Sequence, residues 1–236
     1  MPTPTPPTVP ATPASGRAEG TLRLLARADL EQAATVLARS FDVEPGGRAL
    51  FPDPGLRRRY LELGGRLQID AALPYASVHG LEIDGRLAGV AVWHPPHVTP
   101  RPFGALARSR RELLGQAPAL MRGTPHVLAM LPRHASDGAR LVRARNRAAK
   151  QASRGRAWYL AILATAPEFQ GRGVARQLLD HVLDRCDADG LPAWLETTDP
   201  VNPPLYEHLG FRTVLHLEEP AWLPGFWVMR REPVAG

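Results

Sequence analysis

Cysteine is almost missing from this sequence, which has one such residue, Cys186, among 236. A single thiol excludes an internal disulfide and a zinc site built from cysteines, and it suits a reducing compartment. We expect no bound metal ion.

Long hydrophobic runs are missing as well. No apolar stretch approaches the roughly 20 residues of a membrane span, and the N-terminus lacks the apolar centre of a signal peptide. We therefore expect a cytoplasmic protein with no membrane contact.

Residues 1–20 have little that could build a core, because they are mostly proline, threonine and alanine. Such a composition predicts a disordered tail. The remaining residues, 21–236, are expected to form one domain, since 44% of the chain is hydrophobic and can supply a sizeable core.

The net charge of +6 is spread along the chain. It is compatible with an anionic ligand such as a nucleotide cofactor and does not require nucleic acid. Residues 133–156 contain seven arginines and one lysine against one aspartate. No aromatic residues alternate with these charges, as a surface that stacks bases would need. We expect a solvated helix face near the phosphates of a cofactor, with no nucleic-acid partner.

The most informative stretch runs from Trp158 to Leu183. Residues 158–165 are almost continuously apolar, which is typical of a strand covered on both faces. Glycines follow at 171 and 173, and apolar residues then recur at helical spacing. A strand, a tight turn and a helix start therefore follow one another, and the free N–H groups of such a helix start attract anions.

Several interpretations of this turn compete. The glycines could be incidental to a tight connection. A dinucleotide-binding fold would have a third glycine where Arg176 stands, and a phosphate-binding loop would have lysine with serine or threonine after its last glycine. The turn does resemble the pyrophosphate-binding turn of the GNAT acetyltransferases, [Q/R]-x-x-G-x-[G/A], with Gln170, Gly173 and Ala175 at the patterned positions.

The order of predicted elements supports this resemblance. It comprises a strand (21–25), two helices (29–41 and 56–69), a hairpin with an Asp84-Gly85 turn (78–93), the central strand and helix, a strand (192–196), a helix with Asn202 as its N-cap, and two strands (211–217 and 225–230). Residues 98–156 suggest two or three further helices. We predict the GNAT fold of the α/β (α+β) class: a mixed, mostly antiparallel sheet with splayed central parallel strands, flanked by helices.

Within that family the pattern is most similar to the puromycin N-acetyltransferases, over nearly all of residues 21–232. The similarity is strongest at residues 157–161, 170–173, 195–197 and 202–211. It implies acetyl-CoA as a co-substrate. The residues implied in its binding are Leu163, Ala164, Thr165, Gln170, Gly171, Arg172, Gly173, Val174, Ala175, Arg176 and Asn202.

The resemblance also implies direct attack of a neutral amine on the thioester. Glu196 is expected to remove the amine proton, although it could instead be part of a buried ion pair. Tyr206 is expected to act as the acid for the leaving thiolate, although it could be a core aromatic. Phe41, Asp42 and Trp93 are expected near the acceptor.

The sequence thus predicts an acetyl-CoA-dependent N-acetyltransferase for a primary amine of a small molecule, such as puromycin or another antibiotic. The acceptor could instead be a polyamine, an amino acid or a protein N-terminus. A non-catalytic module that senses acyl-CoA is the alternative outside enzymes. We expect a monomer or a homodimer.

Overall fold

The computed structural model describes residues 19–44, 47–48, 51–75, 77–96, 98, 143–154, 156–217 and 225–234. Residues 1–18 of the predicted tail lie outside this part of the chain. So do residues 99–142, which hold most of the helices predicted between the hairpin and the central strand.

Strands and helices follow the predicted order through the described residues. The strands are β1 (Thr21–Leu24), β2 (Val78–Ile83), β3 (Arg86–His94), β4 (Trp158–Thr165), β5 (Ala193–Thr197), β6 (Arg212–Leu217) and β7 (Phe226–Arg231). The longer α-helices of the described residues are α1 (Leu30–Phe41), α2 (Pro54–Ala72), α3 (143–152), α4 (Val174–Ala188) and α5 (Asn202–His208). Among them, no helix is long and apolar enough to cross a membrane.

All seven strands form one sheet in the order β1-β2-β3-β4-β5-β7-β6. Only the central pair, β4 and β5, is parallel, and the other neighbours are antiparallel. The predicted mixed, mostly antiparallel sheet is therefore confirmed.

The central parallel strands separate soon after they meet. They pair only at Trp158 with Ala193, Tyr159 with Trp194 and Leu160 with Leu195, although β4 continues to Thr165. At the far end of β4 the next N–H, that of Ala166, donates to Ala88 of β3 at 2.9 Å. Because backbone groups alternate in direction along a strand, the N–H groups of Leu163 and Thr165 point away from β3, and that of Thr165 donates to Ser40 Oγ at 3.3 Å. The splay of the two strands is confirmed, and it leaves an open edge on β4 beyond residue 160.

Helix α4 is held close to the sheet by a glycine. A Cβ atom on Gly89 of β3 would lie 2.6 Å from Val174 Cγ1 and 2.9 Å from Leu178 Cδ1. The first turn of α4 therefore sits directly on β3, where only glycine leaves enough room. This contact fixes the start of α4 beside the open edge of β4.

Helix α3 packs on the part of the sheet that β5 and β7 form. Ala148 and Ala152 form a second apolar cluster with Val228 of β7, against which Trp194 of β5 packs. The carbonyl oxygen of Ala152 accepts a hydrogen bond from the guanidinium of Arg230. The basic helix α3 therefore packs against β5 and β7.

Helix α2 is longer than the predicted range 56–69. Asp53 caps it by accepting a hydrogen bond from the Leu56 N–H at 2.6 Å, and Pro54 fits the first turn. The helix therefore begins two residues earlier than predicted.

The predicted N-cap function of Asn202 is wrong. Asn202 is the first residue of α5, and its Nδ2 donates to Thr197 Oγ1 at 3.0 Å. Before it, Asp199 Oδ1 accepts a hydrogen bond from the Val201 N–H at 3.0 Å, which makes a local side-chain turn. Asp199 therefore stabilises the turn before α5, and the side chain of Asn202 connects the helix to the end of β5 by a hydrogen bond.

Candidate active site

A cavity of about 460 Å³ lies along the open edge of β4, between the start of α4 and α5. All but two of the residues predicted to bind a cofactor line it. They are Leu163, Thr165, Gln170, Gly171, Gly173, Val174, Ala175, Arg176 and Asn202. We call this space the edge cavity.

The turn before α4 exposes backbone N–H groups to the edge cavity. Gly171 and Gly173 have φ angles of 74° and 78°, in the left-handed region that side chains disfavour. The first hydrogen bond of the helix ladder joins the Gln177 N–H to the Gly173 oxygen at 3.1 Å. The preceding N–H groups are not needed by the ladder, and no side chain caps the helix. This end of α4 can therefore bind an anion.

The two remaining predicted cofactor residues lie outside the cavity lining. Ala164 is 1% exposed and its side chain belongs to the core. The guanidinium of Arg172 lies over the ring of Phe169, 5.3 Å from its centroid. Ala164 thus contributes to the position of the open edge, and Arg172 remains close to the turn without facing the cavity.

A second cavity, of about 250 Å³, lies between the ends of β4 and β5. Glu196, Thr197, Tyr159 and Phe226 are among its walls. We call it the acceptor cavity. It shares five lining residues with the edge cavity: Phe41, Glu44, Leu163, Asn202 and Tyr206. The two spaces therefore meet at a junction that these five residues form.

Glu196 is held by two donors in the acceptor cavity. Its Oε2 lies 2.5 Å from Arg145 Nη2 and 3.4 Å from the hydroxyl of Tyr159. Its Oε1 is buried without a hydrogen-bond partner among the described residues, and the side chain is only 10% exposed. Glu196 is thus in an ion pair, as the alternative interpretation expected, and its second oxygen is buried with its hydrogen-bonding capacity unused among the described residues.

Tyr159 is fixed on both sides by aromatic rings. It stacks on Trp194 with centroids 4.2 Å apart and on His94 with centroids 5.7 Å apart. Burial raises the pKa of the Tyr159 hydroxyl, and the Glu196 carboxylate adds to this shift. Its phenol therefore stays protonated at neutral pH and can donate to Glu196.

Tyr206 lies at the junction of the two cavities on α5. Its side chain is 5% exposed and makes an edge-to-face contact with Phe211, with centroids 5.8 Å apart. Burial raises its pKa, as do the negative charges of Glu44 and Asp199. The hydroxyl therefore carries its proton at neutral pH, as a general acid must.

Glu44 is a site residue that the sequence did not reveal. It follows α1 in a loop without periodic pattern, and it lines both cavities. Burial raises the pKa of Glu44 to about 7, and the nearby carboxylate of Asp199 acts in the same direction. A carboxyl group with a pKa near neutrality can exchange protons at physiological pH.

Of the three residues expected near the acceptor, the structure brings only Phe41 to the cavities. Asp42 instead accepts from Arg57 Nε at 2.9 Å, and Arg57 also donates to the Phe51 oxygen at 2.8 Å. Trp93 is 0% exposed and lies within the main core. Asp42 is therefore held in an ion pair and Trp93 in the core, and neither lines the two cavities.

The described residues contain no group of three or more histidine, cysteine, aspartate or glutamate side chains arranged to hold a metal ion.

The splayed strands and the anion-binding helix start agree with a comparison of whole sequences. A model of the acetyltransferase (GNAT) family matches residues 47–211, which is more than half of the chain. The chain belongs to this family. An uncharacterised N-acetyltransferase from Schizosaccharomyces pombe is 41% identical over 54 residues. That match spans 23% of this chain and about a fifth of the yeast protein's length, 22%.

Solved structures show the same GNAT fold over nearly the whole chain. An acetyltransferase from Corynebacterium glutamicum, described as a histone acetyltransferase HPA2 and related acetyltransferase, superposes with a TM-score of 0.59 at 19% identity. The comparison covers 92% of this chain and 98% of that one.

Two further structures have a TM-score of 0.52. One is a polyamine N-acetyltransferase from Drosophila melanogaster that forms N-acetylagmatine, at 17% identity, with 91% of this chain and 100% of that one covered. The other is the PaiA N-acetyltransferase from Thermoplasma acidophilum in complex with coenzyme A, at 12% identity, with 91% and 99% covered. At these identities the superpositions show a shared fold.

Proposed function

We propose that this protein transfers the acetyl group of acetyl-CoA to a primary amine of a small molecule. The observation that carries the proposal is the junction between the edge cavity and the acceptor cavity. An anion-binding helix start and an open strand edge lie on one side of this junction, and the carboxyl group of Glu196 lies on the other. Tyr206 faces both.

The edge cavity fits an extended, anionic co-substrate. The backbone of Leu163 can pair with an amide-containing chain along the open edge of β4, as a neighbouring strand would. The N–H groups at the start of α4 can hold a pyrophosphate, and Arg176 adds positive charge beside them. Acetyl-CoA has both features and supplies an activated acetyl thioester. The structure from Thermoplasma, which contains coenzyme A, supports this choice.

Tyr206 is the proposed acid. A leaving thiolate needs a hydrogen bond or a proton at sulfur, and the buried, protonated phenol can supply either. It lies at the junction, where the reacting groups must meet. Tyr206 also belongs to the main core cluster, so packing in the core and contact with a ligand are both compatible with its position.

Glu196 is the proposed contact for the acceptor amine in the acceptor cavity. Its unpartnered Oε1 can accept a hydrogen bond from an amine N–H. The same cavity has aromatic walls, formed by Phe41, Tyr159 and Phe226. These walls suit an amine with an apolar or aromatic body, such as puromycin or a related antibiotic.

Other amines remain within the proposal. Two carboxylates near the junction would also attract a polyamine, and the fold is shared with the polyamine N-acetyltransferase from Drosophila. An amino acid or a protein N-terminus is a further alternative. A sensor that binds acyl-CoA without reaction would need no buried acid at the junction, so Tyr206 favours the enzyme.

The proposal is tested by following free thiol released from acetyl-CoA in the presence of single amines. The panel is puromycin, spermidine, agmatine, tyramine, lysine and a short peptide with a free N-terminus. We expect at least one amine to accelerate thiol release strongly over the rate without amine. Binding of CoA by titration calorimetry without acceleration by any amine would favour the sensor and overturn the proposed enzyme activity.

A further inference from the structure

An acceptor amine is mostly an ammonium ion at neutral pH, and it must lose a proton before it can attack. Two carboxylates, Glu44 and Glu196, line the acceptor cavity. Given the acetyl-transfer function proposed above, we propose that Glu44 takes the proton from the attacking ammonium, while Glu196 orients the amine.

Position distinguishes the two carboxylates. Glu44 lines both the acceptor cavity and the edge cavity, whereas Glu196 lines only the acceptor cavity. The attacking nitrogen must lie where the two cavities meet, because the thioester approaches from one and the amine from the other. Tyr206 faces the same junction. Glu44 and Tyr206 therefore both line the space where the reacting nitrogen and the leaving sulfur would meet.

The charges around the two carboxylates also differ. Glu196 is neutralised by Arg145 at 2.5 Å. A proton on Oε2 would therefore break an ion pair in a largely buried place, which is costly. Glu44 forms no ion pair among the described residues, and accepting a proton there breaks no such contact.

The groups that face Glu44 are mostly acidic or neutral. Asp199, from the connection between β5 and α5, and Tyr206 of α5 are coupled to it electrostatically. Arg176 lines the edge cavity and contacts Asp180 at 3.3 Å, and Arg48 contacts the backbone oxygen of Asp42 at 3.4 Å. Neither arginine forms an ion pair with Glu44 in the described part of the chain.

Such surroundings favour the protonated form of Glu44, and burial raises its pKa to about 7. A base with a pKa near the working pH is partly ionised and still binds the proton it removes. Glu44 therefore has the acid–base properties that proton removal from an ammonium requires.

The proton balance is complete with these residues. The Glu44 carboxylate accepts one proton from the ammonium nitrogen, which frees its lone pair for a new bond to the acetyl carbon. The carbon–sulfur bond breaks, and Tyr206 gives its proton to sulfur. The nitrogen loses a second proton as the amide forms, and this proton restores Tyr206. Glu44 releases its proton to solvent, so one proton is produced for each acetyl group transferred.

The test is the pH dependence of kcat/KM, measured with the panel amine that reacts fastest. For the parent protein we expect activity to rise with pH through a midpoint near 7. Glu44→Gln should lower kcat/KM at pH 7 by about 10²-fold. It should also remove the rise in kcat/KM near pH 7 (the pH step), so that only the titration of the amine itself remains. Glu44→Asp should restore part of the activity. Glu196→Gln should raise KM and keep the step, and Glu207→Gln, an identical change at an exposed position of α5, should change nothing.

A second measurement does not depend on turnover. In ¹³C NMR spectra of the CoA-saturated protein, one glutamate carboxyl signal should titrate near pH 7 and be missing from Glu44→Gln. A Glu44 signal that titrates near the ordinary pKa of about 4.3 would overturn the proposal. So would a Glu44→Gln variant that keeps the pH step and turns over within threefold of the parent.

These results separate the two proposals. If the parent acetylates an amine and Glu44→Gln behaves like the parent, only the assignment of Glu44 fails. If no amine in the panel is acetylated while CoA binds, the proposed activity fails and the function of Glu44 as a base fails with it.

Discussion

Arg145 and Glu196 form an ion pair between α3 and the end of β5, with Nη2 and Oε2 2.5 Å apart. The helix itself is anchored through Ala148 and Ala152 on the sheet. The basic stretch of the sequence was expected to lie near the phosphates of a cofactor. One of its arginines instead fixes a carboxylate of the acceptor cavity.

Removal of Arg145 should destabilise the protein through Glu196. Arg145→Met leaves a largely buried carboxylate without its cation, so we expect the free energy of unfolding at pH 8 to fall by about 1 kcal/mol, a value that allows for the half-exposed arginine. The double variant with Glu196→Gln should lose less than the sum of the two single changes. Urea unfolding of the four proteins measures this, with Arg147→Met as the control on the same helix. Additive losses would contradict the coupling.

Tyr206→Phe tests the proposed acid. The ring and its contact with Phe211 remain, so the variant should fold normally and bind CoA nearly as well as the parent. Turnover should fall by about 10²–10³-fold, the scale for loss of one positioned donor or acid. High pH should not rescue it, because the missing group is an acid. Tyr75→Phe, at an exposed tyrosine, is the control. Turnover within about threefold of the parent would show that Tyr206 is not the acid and serves only in packing.

Gly173→Val tests the anion site at the start of α4. Valine is strained at a φ of 78°, and its side chain would project where a pyrophosphate must meet backbone N–H groups. Gly190, just after the other end of α4, has a φ of 64° and open space around it, so Gly190→Val imposes similar strain away from the site. We expect titration calorimetry to show CoA binding lost only in Gly173→Val. Equal affinities in both variants would contradict the site.

Glu44→Gln should stabilise the free protein above pH 7. A carboxyl group whose pKa is raised to about 7 on folding holds its proton more tightly in the folded state. Stability is therefore lost as pH rises from the unfolded pKa of about 4.3 to the folded one. Glutamine carries no charge and avoids this loss. At pH 8 we expect the melting temperature to exceed that of the parent by about 2–4 °C, with no difference at pH 4. An equal or lower melting temperature at pH 8 would show that Glu44 is not destabilised by its surroundings.

Local pattern was enough to predict the central strand, turn and helix. The apolar run of β4 and the glycines before α4 determine their own conformations, because burial on both faces and a positive φ each restrict residue type. Eight of the residues that line the edge cavity lie in this strand, turn and helix start, and the resemblance to the GNAT family named them. Apart from Phe169 of the same turn, the remaining lining residues come from distant parts of the chain.

The acceptor side could not be predicted in the same way. Glu44 lies in an irregular loop, and its burial results from α5 and β4, which are distant in sequence. Asp42, two residues earlier, was the carboxylate expected near the acceptor, and it forms an ion pair with Arg57 instead. Arg145 was one basic residue among many. Which carboxylate faces a cavity and which meets an arginine depends on packing between elements, and no local pattern records it.

The three residue pairs between β4 and β5 have a mechanical consequence. Few backbone hydrogen bonds therefore join strands β1 to β4 to strands β5, β7 and β6, and the shared core holds the two sets together. A molecule that binds along the open edge while touching α5 would contact both sets at once. Since binding to the folded state alone stabilises it by mass action, the supply of such a molecule would also raise the resistance of this junction to local unfolding.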